Sequence, residues 1–181
     1  MERRYYDTLL WNNRPVTLVM SAKGLDALEF GTIDKVLLGP AGTQLRSVPK
    51  HDPLALKPYM NQLNEYFSGF RQTFDIPLHL TGTDFQQRVW GVLRTIPYGK
   101  VMSYQEVAEE AGNIKAVRAA GMANNRNPVS IIVPCHRVVG KTGCLTGYGG
   151  GLDLKELLLK LEGISVNTGR ITEKNVWMKQ R

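Results

Sequence analysis

The sequence predicts two units of different class: an α/β unit over residues 1–82 and a mostly helical unit over residues 83–170 with a helix-turn-helix at its centre, followed by a tail at 171–181. In "VTLVMSAKGLDALEFG" an apolar run stands on each side of Lys23-Gly24, which reads as two short strands joined at a turn. Leu56, Met60, Leu63, Phe67 and Phe70 recur at the three- and four-residue steps of one buried helical face. Past residue 82, Thr83 with Gln86 and Ser103 with Glu106 are two capping-box signatures, each opening a run of helical period.

Taken in order, the two strands begin a small sheet and the Leu56 to Phe70 helix packs on it, with "LGPAGTQLRSVPKHDP" between them as a loop by its Gly and Pro content. "FDIPLHL" is strand-like. The helix capped by Thr83 carries Phe85, Val89, Leu93 and Ile96 on its face and stops at Pro97-Tyr98-Gly99. In "SYQEVAEEAG", Val107 and Ala111 share a face and Gly112 ends the turn. A further short helix, "KAVRAAGMANN", runs up to Asn127-Pro128. Val129 to Val133 is apolar apart from Ser130 and bounded by prolines, so a short buried segment, strand-like in composition, delivers Cys135 at its end. "LDLKELLLKLEG" is strongly helical, with Leu154, Leu157, Leu158 and Leu161 as its buried stripe. No internal repeat or low-complexity tract interrupts this order.

A chain of 181 residues that is 43% hydrophobic buries one substantial core or two small ones. No apolar run approaches the roughly 20 residues of a membrane span, and "MERRYYDTLLW" lacks the apolar segment of a secretory signal, so a cytoplasmic protein without a membrane partner is expected. The formal net charge of +7 favours a polyanion such as nucleic acid while saying nothing of fold. Cys135 and Cys144 are the only cysteines, and with His51, His79 and His136 the only histidines there is no zinc ribbon or finger, so no metal is expected. Cys144, in "KTGCLTG", reads as a small residue in a turn.

Two short helices joined by a glycine-containing turn have the outline of a helix-turn-helix. In the second, Ala116, Ala119, Ala120, Gly121 and Ala123 leave little side-chain bulk while Arg118 projects as a long cation. Such a helix suits close approach to a partner and equally suits a tight helix crossing. The second notable cluster is "PCHR", residues 134–137, where an imidazole and a guanidinium stand beside a thiol and supply positive charge that favours its thiolate. Neighbouring side chains of an extended chain point apart, so His136 acts on Cys135 only where the backbone bends or a water bridges them. Glu162 is the candidate third group to orient the imidazole.

"VPCHRVVG", with "GTDFQQRVWGVLRTIPYGKVMSYQEVA" before it, "KAVRAAGMANNRNP" between and "GYGGGLDLKELLLKLEG" after, resembles the O6-alkylguanine-DNA alkyltransferases, over nearly all of Thr83 to Gly163. The first 82 residues match loosely. For the fold the resemblance implies a ribonuclease-H-like N-terminal sheet with a helix and a winged-helix-like DNA-binding unit after it. For activity it implies a single-turnover transfer of an alkyl group from guanine O6, and from O4 of thymine, to Cys135, without a cofactor, on double-stranded DNA and by a monomer.

The same resemblance assigns roles. His136, through a water, would take the Cys135 proton, and Glu162 would hold the imidazole. Tyr104 would give a proton to guanine N3. Asn127 would be a hinge tying the DNA-binding helix to the active-site segment. Arg118 would fill the stack left by the extruded base, with Ala116, Ala119 and Ser103 at the DNA surface. Tyr148 and the amides of Gly149 and Gly150 would wall the base pocket, and the carbonyls of Cys135 and Val138 would read the exocyclic amine. "MANNRNP" is bulkier and more polar than some family members at that helix end, and no cysteine precedes Cys135 to supply the N-terminal zinc site some relatives carry. Two other readings stay open: a lesion binder that does not transfer the alkyl group, and a cysteine hydrolase turning over through a thioester.

Overall fold

The computed structural model describes residues 2–39, 45 and 48–171, so the expected tail at 171–181 lies outside the described residues apart from Ile171, as does part of the loop before residue 50. The chain forms two compact units, one from Met1–Thr81 with Arg126–Ile132, the other from Gly82–Asn125 with Val133–Arg181.

The first unit is built on strands β1 (Arg4–Trp11), β2 (Arg14–Ser21) and β3 (Gly24–Phe30), followed by helix α1 (Ile33–Leu38), the short strand β4 (Lys50–His51) and helix α2 (Pro53–Phe67). The sheet order is β3-β2-β1-β4, antiparallel across the first three strands, with β4 parallel to β1. The two strands expected around Lys23-Gly24 are β2 and β3. Strand β1 is additional, and it is joined to β2 through Asn12 and Asn13, both at positive φ, the two-residue hairpin turn that asparagine tolerates. Val16, Leu18 and Val19 on the central strand are fully buried. Thr17, buried among them, donates its hydroxyl to Gly31 O at 2.6 Å.

Helix α2 starts where Asp52 accepts the Ala55 N–H at 3.1 Å and Pro53 takes the first helical position. Leu56, Met60, Leu63 and Tyr66 form its buried face. The helix ends at Ser68, and Gly69 at φ 78 turns the chain, so Phe70 falls beyond the expected face and stands 88% exposed. The stretch expected to be strand-like, "FDIPLHL", makes a single bridge from Leu78 to Leu25, because Pro77 has no N–H with which to extend a ladder. A side chain at Gly24 would meet Pro77 O at 2.6 Å, so the close approach there requires glycine. The segment before the cysteine is buried as expected but is a turn rather than a strand: Val129 bridges Leu28, then Ile131 at φ 71 bends the chain. That conformation is strained for a β-branched residue.

The second unit runs α3 (Asp84–Leu93), β5 (Met102–Ser103), α4 (Tyr104–Glu110), a 3-10 turn (Ile114–Ala116), α5 (Val117–Asn125), a second 3-10 turn (Cys135–Arg137), β6 (Val138–Val139), α6 (Leu152–Leu161), β7 (Val166–Asn167) and β8 (Arg170–Ile171). Both expected capping boxes close, at Thr83 with Gln86 and at Ser103 with Glu106. Helix α3 stops at Leu93, so Ile96 is buried from the turn after it and not from the helix itself. Trp90 is buried and donates its indole N–H to Ala123 O at 2.9 Å, fixing α3 against α5. On α6 the buried residues are Leu154, Lys155, Leu158 and Leu159; Leu157 and Leu161 are half-buried, so the stripe is rotated from the expected one and takes in a lysine. Strands β5 and β6 pair in parallel through Met102 with Val138 and Ser103 with Val139, which sets the start of α4 beside the chain leaving the cysteine.

Candidate active site

Cys135 opens the 3-10 turn, where its N–H donates to Val133 O at 2.8 Å and its side chain is almost wholly buried. The turn supplies the bend that sequence adjacency alone could not. His136, fully buried, turns to Glu162, with Nε2 and Oε1 at 2.8 Å. A carboxylate only accepts, so the proton sits on Nε2 and Nδ1 carries the lone pair. Nδ1 is buried without a hydrogen-bond partner. Glu162 caps the C-terminus of α6 and also accepts both prongs of Arg137, Nε to Oε2 at 2.8 Å and Nη2 to Oε1 at 2.9 Å, and the Gly99 N–H at 3.2 Å. Arg137 Nη1 donates to Ile96 O at 2.6 Å. The guanidinium expected to act on the thiol is therefore committed to Glu162 by a forked, charge-assisted pair.

Burial alone would raise the Glu162 value, but His136 and then Arg137 outweigh it and hold the carboxyl well below its usual range. Burial holds His136 below the usual imidazole value, Glu162 offsets part of this, and the charges of Arg137 and Lys155 push further down. At neutral pH the pair is a carboxylate and a neutral imidazole with its basic nitrogen at Nδ1.

Tyr104, the first residue of α4, shares its hydroxyl proton between Thr146 O at 3.1 Å and Gly147 O at 2.9 Å. Burial first, then the charge of Cys135, pushes its phenol up to about 12, so it is a proton carrier at neutral pH. Lys155, wholly buried, donates from Nζ to the same Thr146 O at 2.8 Å and lies 5.7 Å from the Tyr104 ring centroid.

The structure thus brings Cys135, His136, Glu162 and Tyr104 into one unit. Val138 is buried in β6. Tyr148, Gly149 and Gly150 form the loop leading into α6, where a side chain at Gly150 would meet Leu154 Cδ2 at 2.6 Å and Tyr148 Cε1 at 3.0 Å. Ser103 is the α4 cap, its hydroxyl accepting the Glu106 N–H. Arg118 and Ala119 are exposed on α5, Ala116 is half-buried before it, and Gly121 faces the Tyr104 ring. Asn127 belongs to the segment that packs with the first unit and accepts the Val129 N–H at 3.0 Å. The Cys135 carbonyl already has two donors within the fold, the Val138 N–H and, at 3.4 Å, Asn124 Nδ2. Among the described residues no three His, Cys, Asp or Glu side chains group as a metal site.

Sequence reasoning missed Lys155, Asn124 and the partner of Arg137. Lys155 left a signal, a lysine directly beside Leu154 inside a helix of strong apolar period. Asn124 left none.

Chemically, this arrangement sets a buried thiol beside a neutral imidazole held by an ionised carboxylate and a protonated tyrosine, the set of groups that nucleophilic catalysis by cysteine requires. Comparison with known proteins makes the class specific. Residues 84–164 match the 6-O-methylguanine DNA methyltransferase DNA binding domain, and residues 1–80 match the ribonuclease-like domain of the same family. A Methanosarcina barkeri methylated-DNA–protein-cysteine methyltransferase is 44% identical over 158 residues, 87% of this chain and 96% of that protein. The Mycobacterium tuberculosis protein of that name is 57% identical over 111 residues, 61% of this chain and 67% of the relative. The crystal structure of Mycobacterium tuberculosis OGT in complex with DNA superposes with a TM-score of 0.77 at 46% identity, covering 87% of this chain and 92% of that one. The chain belongs to the 6-O-methylguanine DNA methyltransferase family, with the family's ribonuclease-like domain in its N-terminal part and the DNA-binding domain in its C-terminal part.

Proposed function

We propose that the protein repairs DNA by transferring an alkyl group from O6 of guanine, and from O4 of thymine, to its own Cys135, irreversibly and once per molecule. The observation that carries this is the buried Cys135 at the head of a turn whose next residue is locked onto Glu162, inside the stretch matching the family's DNA-binding domain. His136 takes the thiol proton at Nδ1 through a water. The thiolate then attacks the alkyl carbon; the S–C bond forms, the C–O6 bond breaks, and its electron pair passes to the guanine. Tyr104 turns its hydroxyl from the Thr146 and Gly147 carbonyls to give a proton to guanine N3. The thioether resists water, so no turnover follows.

DNA is held by a helix-turn-helix, α4 and α5, of winged-helix-like type. Its exposed Arg118 fills the stack where the damaged base has been turned out, at an unstacking cost of a few kcal/mol. Ala116, Ala119 and Ser103 lie at the DNA surface, Tyr148 with Gly149, Gly150 and the Val138 carbonyl walls the base pocket, and Asn127 is the hinge. The domains run 1–82 and 83–170 with a tail at 171–181, and the protein acts as a cytoplasmic monomer. No described helix is long and apolar enough to cross a membrane. The test is intact-mass analysis after exposure to an O6-methylguanine duplex. A single one-methyl increment mapped to Cys135 is expected. Binding without any increment would leave a lesion binder, and product beyond one equivalent would leave a hydrolase.

A further inference from the structure

We propose that Asn124 is a specificity-determining residue of the transfer, its side-chain oxygen accepting a hydrogen bond from the exocyclic amine of the guanine in the pocket. The proposal rests on the reading of Cys135 as the nucleophile for O6-alkylguanine, and it gives to a side chain a part that the resemblance gave to the Cys135 carbonyl.

Asn124 lies near the end of α5, 1% exposed, on a buried face otherwise made of Ala120 and Ala123. One neighbour orients its amide. Nδ2 donates to Cys135 O at 3.4 Å, and a carbonyl has no proton to give, so the opposite orientation would set oxygen against oxygen. Among the described residues nothing donates to Oδ1. An amide oxygen buried without a donor is costly, and an aliphatic side chain of the same size would avoid the cost. The oxygen and nitrogen of one amide share a carbon, so Oδ1 stands within about 6 Å of the Cys135 carbonyl oxygen, at the head of the reactive turn.

The Cys135 carbonyl is poorly placed to read an amine itself. Its two lone pairs already meet the Val138 N–H and Asn124 Nδ2. Asn124 Oδ1, beside it, is the acceptor left open. A guanine amine carries two hydrogens, of which the Val138 carbonyl takes one in the proposed pocket and Oδ1 the other. With the alkylated oxygens of the two substrates at one point, O6-alkylguanine presents its amine where O4-alkylthymine presents the O2 carbonyl. Oδ1 then gains a donor from guanine and faces a second acceptor from thymine. Turning the amide over would answer thymine only by setting Oδ1 against Cys135 O. Asn124 thus favours guanine over thymine at a site open to both.

The experiment compares three duplexes that differ at one base: O6-methylguanine, O6-methylhypoxanthine, which lacks only the amine, and O4-methylthymine. Single-turnover methylation of Cys135 is followed by intact mass. The parent is expected to favour O6-methylguanine over both others, and Asn124→Leu, close in size, to cut the O6-methylguanine to O6-methylhypoxanthine ratio about fivefold or more, the usual effect of stranding or removing one buried hydrogen-bond partner. The guanine-to-thymine ratio is expected to narrow with it. Equal losses on all three bases, which a purely structural role in holding the Cys135 carbonyl would give, overturn the proposal, and so does a parent indifferent to the amine. A second measurement removes the chemistry: in Cys135→Ala, the preference in affinity for O6-methylguanine over O6-methylhypoxanthine is expected to fall when Asn124→Leu is added, and an unchanged preference overturns the proposal as well. A fall in that preference with no methyl found on Cys135 of the parent would sink the transfer reading and keep Asn124 as the reader of the amine.

Discussion

Replacing Glu162 with glutamine tests whether one carboxylate holds the site together. In the native protein it accepts from His136 Nε2 at 2.8 Å, Arg137 Nε at 2.8 Å, Arg137 Nη2 at 2.9 Å and Gly99 N at 3.2 Å. A glutamine amide turns one acceptor into a donor facing donors and leaves the buried Arg137 charge without its anion. Stranding one partner of such a pair costs about 3–5 kcal/mol. At 2–4 °C per kcal/mol for a chain of this length, Tm should fall on the order of 10 °C.

The pH dependence has a definite sign. The folded Glu162 value lies below the ordinary 4.5, so its stabilisation is fully present above that value and is lost as pH falls through the folded one. The gap between parent and variant is therefore full at neutral pH and narrows in acid. His136 acts in the same direction in the parent: its folded value is below the ordinary 6.5, so the unfolded chain takes the proton first and stability declines as pH drops below that point. Urea unfolding followed by circular dichroism, with amide exchange on α3 and α6, measures the gap. A loss under about 1 kcal/mol at neutral pH, or a gap that stays constant down to about pH 3.5, would refute the account.

Tyr104→Phe should slow single-turnover transfer on the order of 10²-fold by removing the proton carrier, and an unchanged rate would take Tyr104 out of the chemistry. Arg118→Ala should lose transfer rate on duplex O6-methylguanine while keeping much of it on the free base or a short single strand; equal losses on duplex and single strand would leave Arg118 as a positioning charge. Thr83→Ala, which opens the capping box of α3, should cost about 1 kcal/mol in urea unfolding with transfer on the duplex unchanged.

What could be read in the sequence was what is decided locally. Both capping boxes are three-residue patterns, and both close as written. Helix α2 followed from its period, and only Phe70 escaped because Gly69 reverses the chain first. Strand β1 was missed because its side chains are mostly half-buried, giving no sharp alternation, although Asn12-Asn13 held a hairpin signal. At Pro77 and Ile131 the apolar composition suggested strands, and a missing N–H and a positive φ respectively stopped them. The resemblance placed Cys135, His136 and Glu162, but not the fork from Arg137 or the burial of Lys155. Both depend on bringing together residues far apart in the chain, and an isolated helix gives no reason to bury a lysine.

The geometry of α6 explains why the turn can work with adjacent residues. Lys155 and Glu162 stand seven residues apart, two helical turns, and so on one face with a rise of roughly 10 Å between them. The helix presents a cation at one end of that face and an anion at the other, and Cys135–Arg137 packs against it. Arg137 occupies Glu162 so completely that the carboxylate stays charged and cannot itself become the proton's destination. That leaves Nδ1 of His136 as the nitrogen with no hydrogen-bond partner, open to take the proton in the proposed transfer. In the proposed transfer a proton leaving the sulfur goes to Nδ1, while the Nε2 proton stays in its hydrogen bond to Glu162, so the imidazolium formed is held by the carboxylate from its far side. Stabilising the imidazolium through Nε2 keeps its proton from simply returning to the thiolate, a task that the adjacency of Cys135 and His136 in the sequence could not perform alone.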